Sequence, residues 1–481
     1  MATYMNYSDD INSKIDQFIS KINEADVYSG IMKELFTKGI FIPTPFIYSF
    51  EMLPNLNQHQ LESNFKNNIN KIKTFIQTSI HENTEIYYVL SCIYGAFLGD
   101  AMGAFCEFEK PNPKNSRNIF NNFNTVIGGV KGQVTDDSEM ALSFAYAIMD
   151  SPFKESLNVN YMYFYYGAWF STHPLDYGNT TKAALKYFDF TQFLPKSNNF
   201  SKIEVNILND NYQSLSNGFL MRKSTFIAWI YYRLYHEISE ALYDTKNLEK
   251  LFNLYVKINL LSSEDNKITN PNNQVNVASG IYCLMALMAI KSHPAKNIID
   301  IIKKLCYYSP FYKKGKDERY ISEVIINYIN LFNSDHFDFY KVFGDLKSNE
   351  NVYNSMGFYL HAFKLTLYFL YHFDDIEKNR PEKKFREIMN MICNLGGDTD
   401  TNCCIVGAVI GPLIGMKYFG NEFKQMLDVI PPNRPIYSVH MAVLFVIYLY
   451  KSNRDNELLK KDKYFLQQLL TMIYGNIDLN Y

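Results

Sequence analysis

The sequence predicts an all-α protein, and three observations carry that prediction. Strand signals are scarce along its 481 residues. Apolar residues recur at i, i+3 and i+4 through segments such as 281–289, 358–369 and 458–470, the spacing that turns one helix face towards a core. The stretches between such segments are loops by composition, with prolines at 110–114, 270–273 and 430–435.

The elements follow in order. Residues 1–85 combine polar helical stretches with an aromatic, proline-containing run at 39–48 and an Asn/Lys-rich piece at 64–73. They read as an N-terminal extension, packed on the main domain or serving as a partner-binding element. The main domain is expected over 86–481, opening with an apolar helix from about Tyr88. Segments 191–213 and 262–276 are polar and Asn-rich and read as surface excursions between helices.

Two helices carry glycine stripes. Gly95, Gly99 and Gly103 recur every four residues, and so do Gly407, Gly411 and Gly415. Residues spaced by four lie along one helix face. Each glycine costs about 1 kcal/mol relative to alanine inside a helix, so close backbone approach must offset it. Two central, tightly packed helices are expected, with packing against each other as one arrangement. The membrane alternative, dimerisation through GxxxG, is opposed by Asp100 and Pro412 within the two apolar runs.

Composition narrows the function. Lys and Arg number 47 against 49 Asp and Glu, a formal net charge of −2. No broad basic surface follows, which argues against nucleic-acid binding driven by phosphate contacts. The seven cysteines (Cys92, Cys106, Cys283, Cys306, Cys393, Cys403 and Cys404) are odd in number, irregular in spacing and without a CxxC pair. They read as small buried hydrophobes in a reducing compartment, not as a zinc or disulfide framework. The N-terminus lacks a secretory layout, and the run 441–450 is too short to span a bilayer. A soluble, intracellular (cytoplasmic) protein with no membrane partner is expected.

The chemistry concentrates in two acidic clusters. Gly396-Gly397-Asp398-Thr399-Asp400-Thr401-Asn402 places two carboxylates and two hydroxyls within four residues, and an apolar run follows at once. Thr135-Asp136-Asp137-Ser138-Glu139 has the same grammar and also precedes helical periodicity. Asp136 with Glu139 fits a capping box, which a purely structural role would explain. A cap needs one acceptor, however, and carboxylates this dense at a buried helix start repel unless a cation lies between them. Helix N-termini would keep them ionised. Brought together, the clusters offer four carboxylates and two or more hydroxyls. That set suits two Mg2+ or Mn2+ ions about 3.5–4 Å apart, whereas zinc would want His or Cys. Glu107, flanked by Cys106 and Phe108 near the end of the first glycine-striped helix, adds a carboxylate able to orient water or a leaving group.

In this order, the three motifs resemble the ADP-ribosylglycohydrolase family, which includes the dinitrogenase reductase-activating glycohydrolases. Gly99-Asp100-Ala101-Met102-Gly103 through Glu107 is similar to the family's opening helix, Thr135 to Met140 to its TDD cluster, and 396–402 to its GGDTDTN. Weaker similarities lie at 169–181 and 214–222. The chain departs from the pattern at Asn270, where the family often has His, and at Ser216, where it has Gly. Both departures bear on substrate contacts and neither touches the metal ligands.

The resemblance implies an all-helical fold with a dinuclear Mg2+ centre, liganded by Thr135, Asp136, Asp137, Asp398, Asp400 and Thr401. Glu107, Asp136 and Asp137 would serve catalysis. Asp100, Asp176, Tyr177, Gly178, Asn217, Gly218 and Arg222 would contact the ADP-ribose. The implied reaction is water attack at the anomeric carbon of the distal ribose of an ADP-ribosylated protein or a related conjugate. An ADP-ribose-binding module that no longer cuts, and a phosphoester hydrolase using the same oxygen-rich site, are the alternatives. The motifs leave the linkage (arginine, serine or O-acetyl) and the oligomeric state open.

Overall fold

The computed structural model describes residues 84–112, 128–151, 156–188, 200–431 and 437–452, together with Asn70, Lys73 and Ile76. The expected extension at 1–85 and the helix at 458–470 lie essentially outside these residues. Among the described residues there are eighteen α-helices and no strand, only an isolated bridge between Ser216 and Phe358.

The chain enters at α1 (Glu85–Gly103), whose first turn is capped by the Thr84 hydroxyl, and continues with α2 (Asp136–Asp150) and α3 (Val159–Phe170). Next come α4 (Asn179–Leu185), α5 (Phe200–Asn211), α6 (Lys223–Arg233), α7 (Tyr235–Tyr243) and α8 (Leu248–Asn266). The second half holds α9 (Asn273–Ile290), α10 (Ala295–Tyr307), α11 (Ser309–Tyr312), α12 (Lys316–Phe332), α13 (Phe339–Phe343) and α14 (Tyr359–Tyr371). It ends with α15 (Pro381–Cys393), α16 (Thr399–Ile414), α17 (Gly420–Leu427) and α18 (Met441–Ser452).

The glycine stripes meet each other. A Cβ on Gly95 would stand 2.3 Å from the Gly407 carbonyl oxygen, one on Gly99 2.2 Å from that of Cys403, and one on Gly103 2.3 Å from that of Thr399. Numbers rise by four on α1 as they fall by four on α16, so the two helices run antiparallel with backbones in contact. A side chain at Gly95, Gly99, Gly103, Gly407 or Gly411 would force them apart. Burial of Val89, Ile93, Phe97, Ile405, Val409 and their neighbours offsets the glycine cost. Around this pair pack α9, α14, α15 and α6, and the Tyr282 hydroxyl of α9 donates to the Ile405 carbonyl at 2.8 Å.

Two segments depart from the sequence reading. Residues 262–276 are not a surface excursion: Ser262, Asp265, Asn266, Thr269 and Asn270 are buried. Their polar groups bond to one another and to Arg222, which is what permits burial of so polar a stretch. Within 191–213, residues 200–211 form α5, with Phe200, Ile203, Ile207 and Asn211 as its buried stripe. Two helices, α1 and α9, are long and apolar enough to cross a membrane, but both lie within the packed interior. The seven cysteines are all buried.

Candidate active site

The antiparallel pairing sets the site. It places the N-terminus of α16 against the last turn of α1, where a Cβ on Gly103 would lie 2.5 Å from the Asp400 Cα. The Thr399 hydroxyl locks the junction by donating to the Gly103 carbonyl at 2.7 Å. A third helix end is added by Asp100. Its carboxylate accepts from the Thr135 and Ser138 backbone N–H groups at 3.0 and 3.1 Å, and from their hydroxyls at 2.9 and 2.5 Å. Asp100 therefore caps α2 from another helix. The N-cap of α2 is Thr135, not Asp136 as the capping box between Asp136 and Glu139 would require, and Glu139 accepts from Trp169 Nε1 at 2.8 Å.

The two acidic motifs and the end of α1 thus converge. Thr135 Oγ1 lies 2.9 Å from Asp100 Oδ1, 3.1 Å from Asp137 Oδ2 and 3.4 Å from Asp400 Oδ2. One hydroxyl proton cannot satisfy three carboxylates. Asp137 Oδ1 and Glu107 Oε2 are buried with no hydrogen-bond partner. Two groups of three have carboxylate oxygens within 4.8 Å of one another: Asp100, Asp137 and Asp400, and Glu107, Asp398 and Asp400. Asp400 belongs to both. Crowded together, and with Asp137 Oδ1 and Glu107 Oε2 buried and unpaired, these oxygens fit a hard cation.

Proton affinities tell the same story for the cation-free site. Burial pushes the Glu107 carboxyl up to about 9, helped by the charges of Asp398, Asp176, Asp136 and Asp100. Asp136, Asp137 and Asp400 rise well above the usual carboxylate range, through burial first and neighbouring carboxylates second. Asp100 is raised by burial only to about 6, because its four donors favour the charged form.

Of the expected ligands, Asp137, Asp398 and Asp400 enter these groups. Thr401 Oγ1 stands 3.5 Å from Asp137 Oδ2. Asp136 is outside both groups, almost buried, with Asp176 the largest charge acting on it. Asp100 and Glu107, read from sequence as a substrate contact and a catalytic carboxylate, both join the clusters. Glu107 follows α1 by four residues instead of ending it.

The expected substrate contacts divide into two sets. Asp176 is half-buried beside the pocket, its carboxyl raised by burial and by Asp398, and Tyr177 packs its ring on Phe170 at 5.1 Å. Gly178 is exposed, with open space where a Cβ would stand. Asn217 donates its Nδ2 to Asp398 Oδ2 at 2.7 Å and its backbone N–H to the Gly357 carbonyl at 2.7 Å. Arg222, by contrast, is fully buried. Its guanidinium donates to Asp265, to Thr269 Oγ1 at 2.9 Å and to the Gly218 carbonyl at 3.3 Å, and lies over the Tyr166 ring. Burial alone would raise the Asp265 carboxyl, but Arg222 and Lys223 hold it down to about 2. Sequence reading missed this network, since only tertiary packing reveals that 262–270 is interior.

The sequence profile described as ADP-ribosylglycohydrolase matches residues 83–435. The chain is 27% identical over 334 residues to a protein of Acanthamoeba polyphaga mimivirus provisionally named an ADP-ribosyl glycohydrolase. That alignment covers 67% of this chain and 86% of the relative. A solved structure described as an ADP-ribosylglycohydrolase-related protein complex is similar at a TM-score of 0.46 and 16% identity, over 75% of this chain and 97% of its own. With a family match over residues 83–435, most of its length, the chain belongs to the ADP-ribosylglycohydrolase family.

Proposed function

We propose that this protein is a Mg2+-dependent hydrolase that removes ADP-ribose from modified protein side chains or a related conjugate. The observation that carries the reading is the meeting of Asp100, Asp137 and Asp400 around one threonine hydroxyl, with Glu107 and Asp398 alongside. Thr135, Asp136, Asp137, Asp398, Asp400 and Thr401 would hold two Mg2+ ions, with Mn2+ a chemical substitute. When bound, the ions would neutralise the carboxylates and polarise the ribose hydroxyls as Lewis acids.

The chain's own groups divide the remaining work. Asn217 fixes the Asp398 carboxylate, and Asp100 fixes the α2 N-terminus, so both halves of the site are preorganised. Water attacks the anomeric carbon as the bond to the side-chain heteroatom breaks, and a proton must leave the water and reach that heteroatom. Glu107 would hold that proton, a role supported by its Oε2 being buried and unpartnered. The surrounding carboxylates stabilise the oxocarbenium-like transition state. Asp176, Tyr177 and Gly178 with Asn217 and Gly218 line the approach for the ADP-ribose, and Arg222 positions Gly218 from behind.

The test is ADP-ribose release, with and without Mg2+, from proteins modified separately on arginine and on serine, with Asp137→Asn as a control. Mg2+-dependent release that the variant abolishes supports the hydrolase and identifies the linkage. Tight ADP-ribose binding without release would make the protein a binding module instead.

A further inference from the structure

Exposed apolar residues flank the carboxylate site in the chain. Three exposed large apolar side chains adjoin pocket residues in the chain: Phe108 follows Glu107, Leu175 precedes Asp176, and Met356 precedes Gly357. They are 50%, 40% and 46% exposed, whereas Glu107 is 3% exposed. A Cβ on Gly357 would stand 3.6 Å from Asp398 Oδ2. Phe108 and Met356 also share a support. The Phe108 backbone N–H donates to the Gly397 carbonyl at 2.7 Å, and a Cβ on Gly397 would lie 3.1 Å from Met356 Cγ.

Phe108 stands in the left-handed backbone region, at φ 61°. A bulky residue enters that region at a cost of about 1–2 kcal/mol, and glycine would make the same turn without it. A half-exposed ring recovers little of that cost by burial within the fold. Strain of this kind, beside a functional pocket, points to a contact made outside the fold.

We propose that Phe108, Leu175 and Met356 form an apolar collar that receives the leaving side of the substrate, the peptide around the ADP-ribosylated side chain. This rests on the hydrolase reading above. With the distal ribose at the carboxylates, two arms leave it. The pyrophosphate arm is anionic, and the collar offers it no positive charge and stands beside Glu107 and Asp176. The adenine is separated from that ribose by the pyrophosphate and a second ribose, whereas each collar residue begins about 3.8 Å along the chain from a pocket residue. The leaving arm starts at the anomeric carbon itself, and a peptide can bring apolar side chains to the collar. The preferred substrate is therefore a modified protein segment with apolar residues flanking the modified one.

The experiment compares kcat/KM for two ADP-ribosylated peptides of the same linkage, one with Leu and Phe flanks and one with Ser and Gly flanks. The proteins are wild type, Phe108→Gly and Met356→Ala; glycine is chosen at 108 because it accepts the existing backbone. Wild type is expected to favour the apolar-flanked peptide about tenfold, a difference of about 1.4 kcal/mol. Each variant should reduce that preference about threefold or more, through KM. No preference in wild type, or a preference unchanged in both variants whatever their overall rate, would overturn the collar while leaving the hydrolase intact. The linkage is the one that the release assay above identifies; no release from a protein of either linkage in that assay would fail the reading of a hydrolase of modified proteins, and the collar with it.

Discussion

Asn270 Nδ2 donates to Ser216 Oγ at 3.0 Å, so the two positions where the chain departs from the family pattern are bonded to each other. The Asn270 orientation is fixed from behind. Arg222 can only donate, so its bond to Thr269 Oγ1 leaves the Thr269 proton for Asn270 Oδ1 at 2.8 Å. Ser216 in turn precedes the short 3-10 turn Asn217–Phe219, whose first residue holds Asp398. A line of hydrogen bonds thus runs from the Asp265–Arg222 pair to a carboxylate of the site.

The pair is expected to act as a unit. In a double-mutant cycle of Asn270→Ala and Ser216→Ala, denaturant unfolding should show a coupling of about 1 kcal/mol, the net worth of one buried hydrogen bond. Strictly additive effects would show that the contact contributes nothing.

Gly95→Ala tests the α1–α16 contact away from the carboxylates. Its Cβ would meet the Gly407 carbonyl oxygen at 2.3 Å, and backbone cannot step aside as a flexible side chain can. A loss of about 3 kcal/mol is expected from overpacking, read as a fall in the denaturant midpoint. A neutral result would mean that the helices tolerate separation.

Arg222→Met leaves Asp265 buried with Lys223 and the Tyr166 hydroxyl and removes the donors to Thr269 and Gly218. The expected cost is about 3–5 kcal/mol, as for other buried pairs broken on one side. Calorimetric unfolding would show it, and a wild-type melting temperature would contradict it.

Stability should depend on pH in a direction set by the buried carboxyls. Unfolded, Glu107 loses its proton near its ordinary value of 4.5; folded and cation-free, it holds it to about 9. The folded state therefore binds more protons across that window, and stability present below pH 4.5 is lost as pH rises towards 9. Asp100 adds the same sign between 3.8 and about 6. Mg2+ should reverse the trend, so the rise in melting temperature on adding Mg2+ should grow from pH 5 to pH 8. A Mg2+ effect that is flat across this range would contradict the account.

Much of this architecture was legible in the sequence because the deciding signals were local. The four-residue glycine recurrence at 95–103, with Gly407 and Gly411 opposite, reports a helix contact that only glycine permits, whereas Gly415 falls past the end of α16 and faces the Tyr87 side chain. The density of Asp and Thr at 135–137 and 398–401 reports charge that needs compensation. What stayed hidden depends on partners distant in the chain. Asp100 reads as a substrate contact until Thr135 and Ser138 are seen to donate to it, and 262–276 reads as surface until Arg222 and Lys223 neutralise Asp265. Arg222 shows the converse: its motif is visible in sequence, but its guanidinium points into the interior.

Asp400 belongs to both carboxylate groups, so it gives the most direct test of the central claim. Mg2+-dependent release of ADP-ribose from a modified protein should be measured for wild type and Asp400→Asn, alongside calorimetric Mg2+ titration of each. Wild type should release ADP-ribose, and Asp400→Asn should lose about 10²-fold or more and bind Mg2+ more weakly with the fold retained. Release that is independent of Mg2+, or undiminished in Asp400→Asn, would contradict that claim.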